Sequence, residues 1–370
     1  MKSKERIQYL LSLGVSILIA LAIGALLMLV SGHDPVQGYR SLIEGAGFIG
    51  PRKAQAIGNT LYKSAQLIIT GLATAVASSA GVFNVGGEGQ MYLGALGSCY
   101  LATLLVGVSP WIAMPLCFLA AVLCGSVYAF IPAVMKVKLN INEVISTIML
   151  NSVAIFFCAY MAKGPLKTTE RGITAGTQRI SSVFQFDRII FSNSDVLSER
   201  LRMKSNLTTS VIWIALITLL IWYLMSHTTL GYRMNLSGQN SRFARFIGIR
   251  ADWLGIVGML ISGAMCGALG MFENFALHSR FNPEFSNEIY FDGMLVAMIM
   301  RYRPLGIILM SFFFGALKTG AVSMQQDIPS ELILIVQSVV IFLMAAQEGI
   351  VARLRVKHAR KHPGIAKEAG

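Results

Sequence analysis

The sequence predicts an all-α polytopic membrane protein with about ten transmembrane helices, an inverted repeat and helices interrupted near residues 81–90. Three observations carry that expectation. The 370 residues are 55% hydrophobic and only 13% charged, whereas soluble domains carry about 25% charged residues, and the mean hydropathy is +0.63. The apolar residues are gathered into runs separated by short polar connections. One polar stretch, Gly81-Val82-Phe83-Asn84-Val85-Gly86-Gly87-Glu88-Gly89-Gln90, lies between two such runs. Lipid satisfies neither its backbone groups nor Glu88, so protein or water must surround it.

Taken in order, Lys2, Lys4 and Arg6 precede an apolar run over 9–30, which spans ~30 Å as a helix. A cleaved signal peptide has an apolar core of only about 7–15 residues, so residues 7–31 read as an uncleaved first helix with a cytoplasmic amino end. A polar connection with Arg40, Arg52 and Lys53 follows. The first repeat, 58–161, holds runs at 60–80, 91–106, 110–131 (stopped by Pro132) and 141–161. A long external loop over 162–206, a sixth helix over 207–226 and a basic cytoplasmic loop over 227–250 come next. The second repeat, 251–350, holds runs at 253–271, 289–300, 305–317 and 332–346, and residues 351–370 form a basic cytoplasmic tail.

Asn142-Glu143-Val144-Ile145 before the fifth run is echoed by Ser330-Glu331-Leu332-Ile333 before the tenth. An offset of five runs is odd, so spans 2–5 and 7–10 would be opposed in orientation, as in transporters built from inverted repeats. The formal net charge of +13 is concentrated in segments assigned to the inner face, around Lys136 and Lys138, Arg233 to Arg250, Arg301 and Arg303, and the tail. That distribution follows the positive-inside rule and makes nucleic acid an unneeded partner. The 162–206 loop is also basic and departs from it. The five cysteines lie in apolar runs with no CxxC pair, and no Walker-type, HExxH or GxSxG motif occurs. The chain therefore carries no sign of metal binding, ATP hydrolysis or hydrolytic chemistry of its own.

In the 81–90 stretch the glycines permit a break and close backbone approach. The amides at the start of the following helix, with Asn84 and Gln90, offer hydrogen bonds to an uncharged polar solute or cap one another. Asn142 has the position of a helix cap. Asn151, within an apolar run, bonds across helices or lines a cavity, and Glu273 lies either on the pathway or at the water interface. In the basic loop Asn240 or Ser241 opens a short helix that Gly248 ends. Phe243, Phe246 and Ile247 share one face, edged by Arg242 and Arg245. Such a helix rests on the lipid surface or docks into a partner's groove.

The 81–90 stretch with Gly94-Ala95-Leu96, then 142–151 (NEVISTIMLN), then Gly238-Gln239-Asn240 through Gly248-Ile249, resemble the permease subunits of bacterial ABC importers. The family is the branched-chain amino acid and simple-sugar permease group, and the likeness is nearest to its nucleoside-type branch. The resemblance implies a multi-pass protein of the bacterial cytoplasmic membrane, both termini cytoplasmic, in contact with membrane lipids. It implies a second permease subunit, two ABC ATPase subunits that carry ATP and Mg, and a substrate-binding lipoprotein or periplasmic protein. The permease itself would be no enzyme and hold no cofactor. Phe83, Asn84, Glu88, Gln90, Asn142, Asn151 and Glu273 would stand near the solute path, while Gly238, Asn240, Arg242, Phe243, Arg245 and Gly248 would belong to an ATPase coupling helix. The solute so implied is a nucleoside, with a simple sugar or riboflavin as alternatives. From another class, an ion-coupled secondary transporter or channel would use Glu88 as a proton-linked carboxylate.

Overall fold

In the computed structural model, which describes residues 3–50, 53–170, 172, 174–189, 205–286, 288–325, 327–343 and 346, the apolar runs are helices. They are α1 (Ser3–Val30), α2 (Pro35–Ala46), α3 (Lys53–Ser79), α4 (Gly87–Leu104), α5 (Pro110–Leu139), α6 (Glu143–Lys163), α7 (Ser210–His227), α8 (Thr229–Gln239), α9 (Ser241–Phe246), α10 (Ala251–Glu273), α11 (Ile289–Ile299) and α12 (Pro304–Met324). A 3-10 turn (Ser182–Phe184) lies in the long loop, a π turn (Asn274–His278) continues α10, and α13 covers Ser330–Leu343. No strand occurs among the described residues, where Arg188 and Thr208 form an isolated bridge. By length and composition, five helices among these residues can cross a membrane: α5, α6, α7, α10 with its π turn, and α12. The basic tail at 351–370 and residues 190–204 of the long loop lie outside the described residues.

Outside the basic loop, two elements differ from the sequence reading. The polar connection after the first run contains α2, because the Asp34 side chain accepts from the Val36 N–H at 2.8 Å, Pro35 occupies the first turn and Gly47 closes the helix at φ 93°. Together these caps satisfy end groups that water would otherwise serve. The fourth run does not stop at Pro132, since α5 continues through it to Leu139. Lys136 and Lys138 in the last turn complement the helix dipole, and burial of Ala133 holds the segment beyond the proline. The helix ends at Asn140 in the left-handed region, φ 52°.

The chain forms two units. The first contains residues 1–53 and 317–370, with a core of Met28, Ala321, Met324, Ile328, Ile333 and Val336 against Tyr39 and Leu42. There Asp327 accepts from Gln37 Nε2 at 3.1 Å and Ser41 Oγ at 2.6 Å, tying α2 to the turn after α12. Tyr39 hydroxyl donates to the Leu21 carbonyl at 2.5 Å.

The second unit, 54–316, is built around α4, α5 and α10, whose contact surfaces are small residues. A β-carbon added at Gly267 would strike the Ala121 carbonyl oxygen and lie 3.0 Å from the Ala121 carbonyl carbon. One at Gly94 would strike the Gly267 backbone, and one at Gly125 the Gly263 carbonyl oxygen. Gly263, Gly267 and Gly270 recur on one face of α10, the small-residue pattern by which membrane helices approach closely without a hydrophobic driving force between them. Ser126 Oγ adds a bond to the Leu260 carbonyl at 3.1 Å. Overpacking such a contact costs about 3 kcal/mol. Gly267→Val is therefore expected to lower the melting temperature of the detergent-solubilised protein by several degrees, whereas Gly14→Ala, where nothing lies within 4 Å, does not lower it.

Candidate functional site

The polar stretch begins where α3 ends. Gly81 takes φ +82°, Val82 N–H bonds the Ala77 carbonyl at 3.2 Å, and residues 82–86 run without helical pairing until α4 starts at Gly87. Its polar backbone then needs partners other than lipid. Gly86 N–H donates to Asn84 Oδ1 at 2.9 Å and Gly89 N–H to Asn151 Oδ1 at 2.8 Å. The Asn151 amide returns a bond to the Val85 carbonyl at 2.8 Å, so one side chain from α6 serves both sides of the break. Asn84 and Gln90 pair their amides at 2.9 and 3.1 Å, and Asn84 Nδ2 also reaches Ser262 Oγ on α10 at 2.9 Å.

A second break follows α10. After the π turn, Ser279 and Glu288 adopt left-handed backbone, φ 56° and 57°, and α11 starts at Ile289. The two breaks bind each other. Glu88, in the first turn of α4, accepts from Ser286 Oγ and from the Tyr290 N–H in the first turn of α11 at 3.1 Å. One carboxylate thus stands at the start of two helices, where unpaired N–H groups and the positive dipole end favour an acceptor. Tyr290 hydroxyl donates to the Asn84 carbonyl at 2.5 Å and receives the Thr74 hydroxyl at 3.1 Å. A β-carbon at Gly87 would strike the Tyr290 ring, so only glycine admits this approach.

The network continues along α3. Tyr62, Gln66, Thr70 and Thr74 are all buried and recur every four residues, which places them on one helix face. Tyr62 hydroxyl donates to Glu273 at 2.9 Å, as does Gln66 Nε2. Thr70 and Thr74 bond the carbonyls four residues before them at 2.8 and 3.0 Å. Sequence reasoning passed over this stripe and over Ser262, Ser286 and Tyr290. The spacing of four was the available signal for α3, but nothing local marks the other three.

Of the residues expected near a path, Asn84, Glu88, Gln90, Asn151 and Glu273 are 0%, 4%, 1%, 6% and 2% exposed and belong to this one interior system. Asn142 makes no bond to it. Its side chain caps α6 through the Val144 N–H at 2.9 Å, beside a Lys136–Glu143 ion pair at 2.9 Å. Phe83 is half-buried.

The basic loop folds as two helices, one more than expected. Thr228 caps α8 through the Gly231 N–H at 3.2 Å, and Asn240 caps α9 through the Phe243 N–H at 3.0 Å. Fully buried Ala244 anchors α9, leaving Phe243, Phe246 and Ile247 48%, 87% and 48% exposed. Arg242 is exposed, Arg245 pairs with Asp252 at 2.7 Å, and Gly248 at φ +85° turns the chain into α10. Gly238, in the last turn of α8, is exposed and lies against the Ser78–Ser79 backbone.

Residues 56–345 match the family described as branched-chain amino acid transport system / permease component. The chain is 30% identical to the nucleoside ABC transporter permease protein NupB of Lactococcus lactis subsp. cremoris, over 96% of each. It is 30% identical to the guanosine ABC transporter permease protein NupP of Bacillus subtilis, over 94% of this chain and 96% of that protein. It is also 28% identical to the glucose ABC transporter permease protein TsgB13 of Haloferax volcanii, over 90% and 86%. No solved structure matches.

Removing the Asn151 amide leaves two buried backbone groups unpaired, a cost of about 3 kcal/mol. Loss of the exposed cap at Asn142 costs about 1 kcal/mol. Thermal melts in detergent are expected to rank Asn151→Ala below Asn142→Ala, and the reverse order would show that Asn151 does not hold the break.

Proposed function

We propose, because this chain belongs to the branched-chain amino acid transport permease family, that it is the membrane-spanning subunit of an ATP-driven ABC importer for nucleosides. The observation that carries this reading is similarity along nearly the whole length to two permeases named for nucleoside and guanosine transport. The glucose permease is less similar. A multi-pass membrane protein follows from the apolar helices and the family.

In this reading α1, α3, α4, α5, α6, α7, α10, α11, α12 and α13 are ten crossing or half-crossing segments, with both termini in the cytoplasm. The pair α3–break–α4 and the pair α10–break–α11 are equivalent parts of an inverted repeat. Their bonding to one another through Glu88, Ser286 and Tyr290 supports that assignment, since opposed half-helices with facing N-termini are the expected product of such symmetry. A second permease subunit completes the path, and a binding protein delivers solute to the outer face. Two ATPase subunits, which carry ATP and Mg, receive α9 in a cleft. Two exposed apolar side chains on so short a helix and a third, Ile247, just after it supply the docking surface, with Arg242 and Arg245 at its rim.

Asn84 and Gln90 satisfy each other in the arrangement described. Exchanging that pair for bonds to the donors and acceptors of a nucleoside keeps the number of hydrogen bonds similar, so passage needs only weak affinity. Phe83 offers an aromatic face beside them.

Proteoliposomes containing the complete complex and its binding protein are expected to accumulate tritiated guanosine only with ATP. Accumulation by this chain alone under an ion gradient would overturn the assignment in favour of a secondary transporter. Arg245→Glu, which reverses a charge at the docking rim, is expected to lower uptake at least tenfold while leaving the binding protein's affinity for guanosine unchanged. Normal uptake by that variant would exclude the rim from coupling.

A further inference from the structure

The end of α8 touches the start of the polar break through backbone alone. A β-carbon added at Gly238 would lie 2.5 Å from the Ser79 carbonyl oxygen and 3.1 Å from that of Ser78. From the other side, one added at Gly81 would lie 3.3 Å from Gly238 Cα, and Gly81 already requires positive φ. No side chain intervenes. Gly81 and Gly238 are themselves exposed, while the residues beneath them pack closely: a β-carbon at Gly258 would meet Ala80 Cβ at 2.5 Å and Met234 Cε at 3.4 Å, and one at Gly255 would meet Val82 Cγ1 at 3.1 Å. Met234 and Ser237 are 0% and 2% exposed.

Both sides of this contact lead somewhere. Toward the surface, Asn240 N–H bonds the Leu236 carbonyl at 3.1 Å and Ala244 N–H bonds the Asn240 carbonyl at 3.0 Å, so α8 and α9 are joined without a slack linker. Toward the interior, Gly81 is followed by Asn84, which bonds Gln90, Ser262 and Tyr290. A cavity of about 90 Å³ lies beside the contact, lined by Ala75, Ser79, Ile221, Met225, Asn235 and Tyr302. Close-packed atoms transmit displacement because compression is steeply unfavourable, while the adjacent space gives α8 room to move.

We propose that the Gly238–Gly81 contact is the transmission element of the importer, and that Gly238 is a positioning residue through which movement of α9 re-aims the Asn84–Glu88 break. This rests on the reading of α9 as the ATPase-docking helix. A side chain at Gly238 would push α8 off the turn, so ATP hydrolysis and solute movement would part company. Merely local packing at the same place would lower both together.

The test uses the whole complex in lipid nanodiscs. Hydrogen–deuterium exchange of the unmodified complex is compared between nucleotide-free and ATP–vanadate-trapped states. The expected result is at least a threefold change in exchange over residues 79–86 whenever residues 241–247 change. If 241–247 respond and 79–86 do not, the transmission role is overturned while the docking assignment stands. If 241–247 respond neither to nucleotide nor to addition of the ATPase, the docking assignment fails and this proposal fails with it. In proteoliposomes, Gly238→Ala is expected to lower tritiated guanosine taken up per ATP hydrolysed at least fivefold. An unchanged ratio would overturn the role, and if that variant does not assemble, the exchange comparison on the unmodified complex decides.

Discussion

The constraint on which the rest of this structure depends is that a helix broken in the protein interior must find its hydrogen bonds there. Residues 82–86 and 279–286 each interrupt the helical ladder, and the two interruptions are bonded to each other. The solution is reciprocal. Asn151 serves two backbone groups of the first break, Tyr290 donates to a third, and Glu88 in turn caps the helix that follows the second break. Glu88 therefore links two helix starts through its bonds to Ser286 and Tyr290.

Such links work only if the helices come close, which is why α10 presents glycine at 263, 267 and 270 to α4 and α5. Ser262 occupies the same stretch and bonds Asn84, so the residues that permit approach and the residue that uses it are sequence neighbours. The polar stripe of α3 extends this system from Thr74 to Glu273 without leaving the protein interior. The core of the second unit thus combines directional hydrogen bonds with a packing surface of small residues.

Most helices were legible because apolar runs of membrane length permit few alternatives, and the break at 81–90 was legible because its composition is intolerable to lipid. The limits were also physical. Asp34, Pro35 and Gly47 were present as caps, yet the polar composition between them concealed α2. Pro132 read as a terminator, whereas burial beyond it carries α5 to Leu139. Among the site residues, Asn84, Glu88, Gln90, Asn151 and Glu273 stood out as polar groups in apolar surroundings. Ser262, Ser286 and Tyr290 did not, since a hydroxyl in a membrane helix is ordinary and their importance comes from partners far away in the chain. Asn142 was visible as a cap and is one.

That remoteness governs how the chain is made. The bond from Tyr290 to Glu88 joins residues 202 apart in sequence. At a synthesis rate of about 5–20 residues per second, roughly ten to forty seconds separate the arrival of the two residues at the membrane. During that interval the first break has no partner for Glu88 and must be sheltered by the insertion machinery or by water. The polar core is thus completed late in biogenesis. A chain that ends before Tyr290 lacks the N–H that Glu88 accepts from at the start of α11.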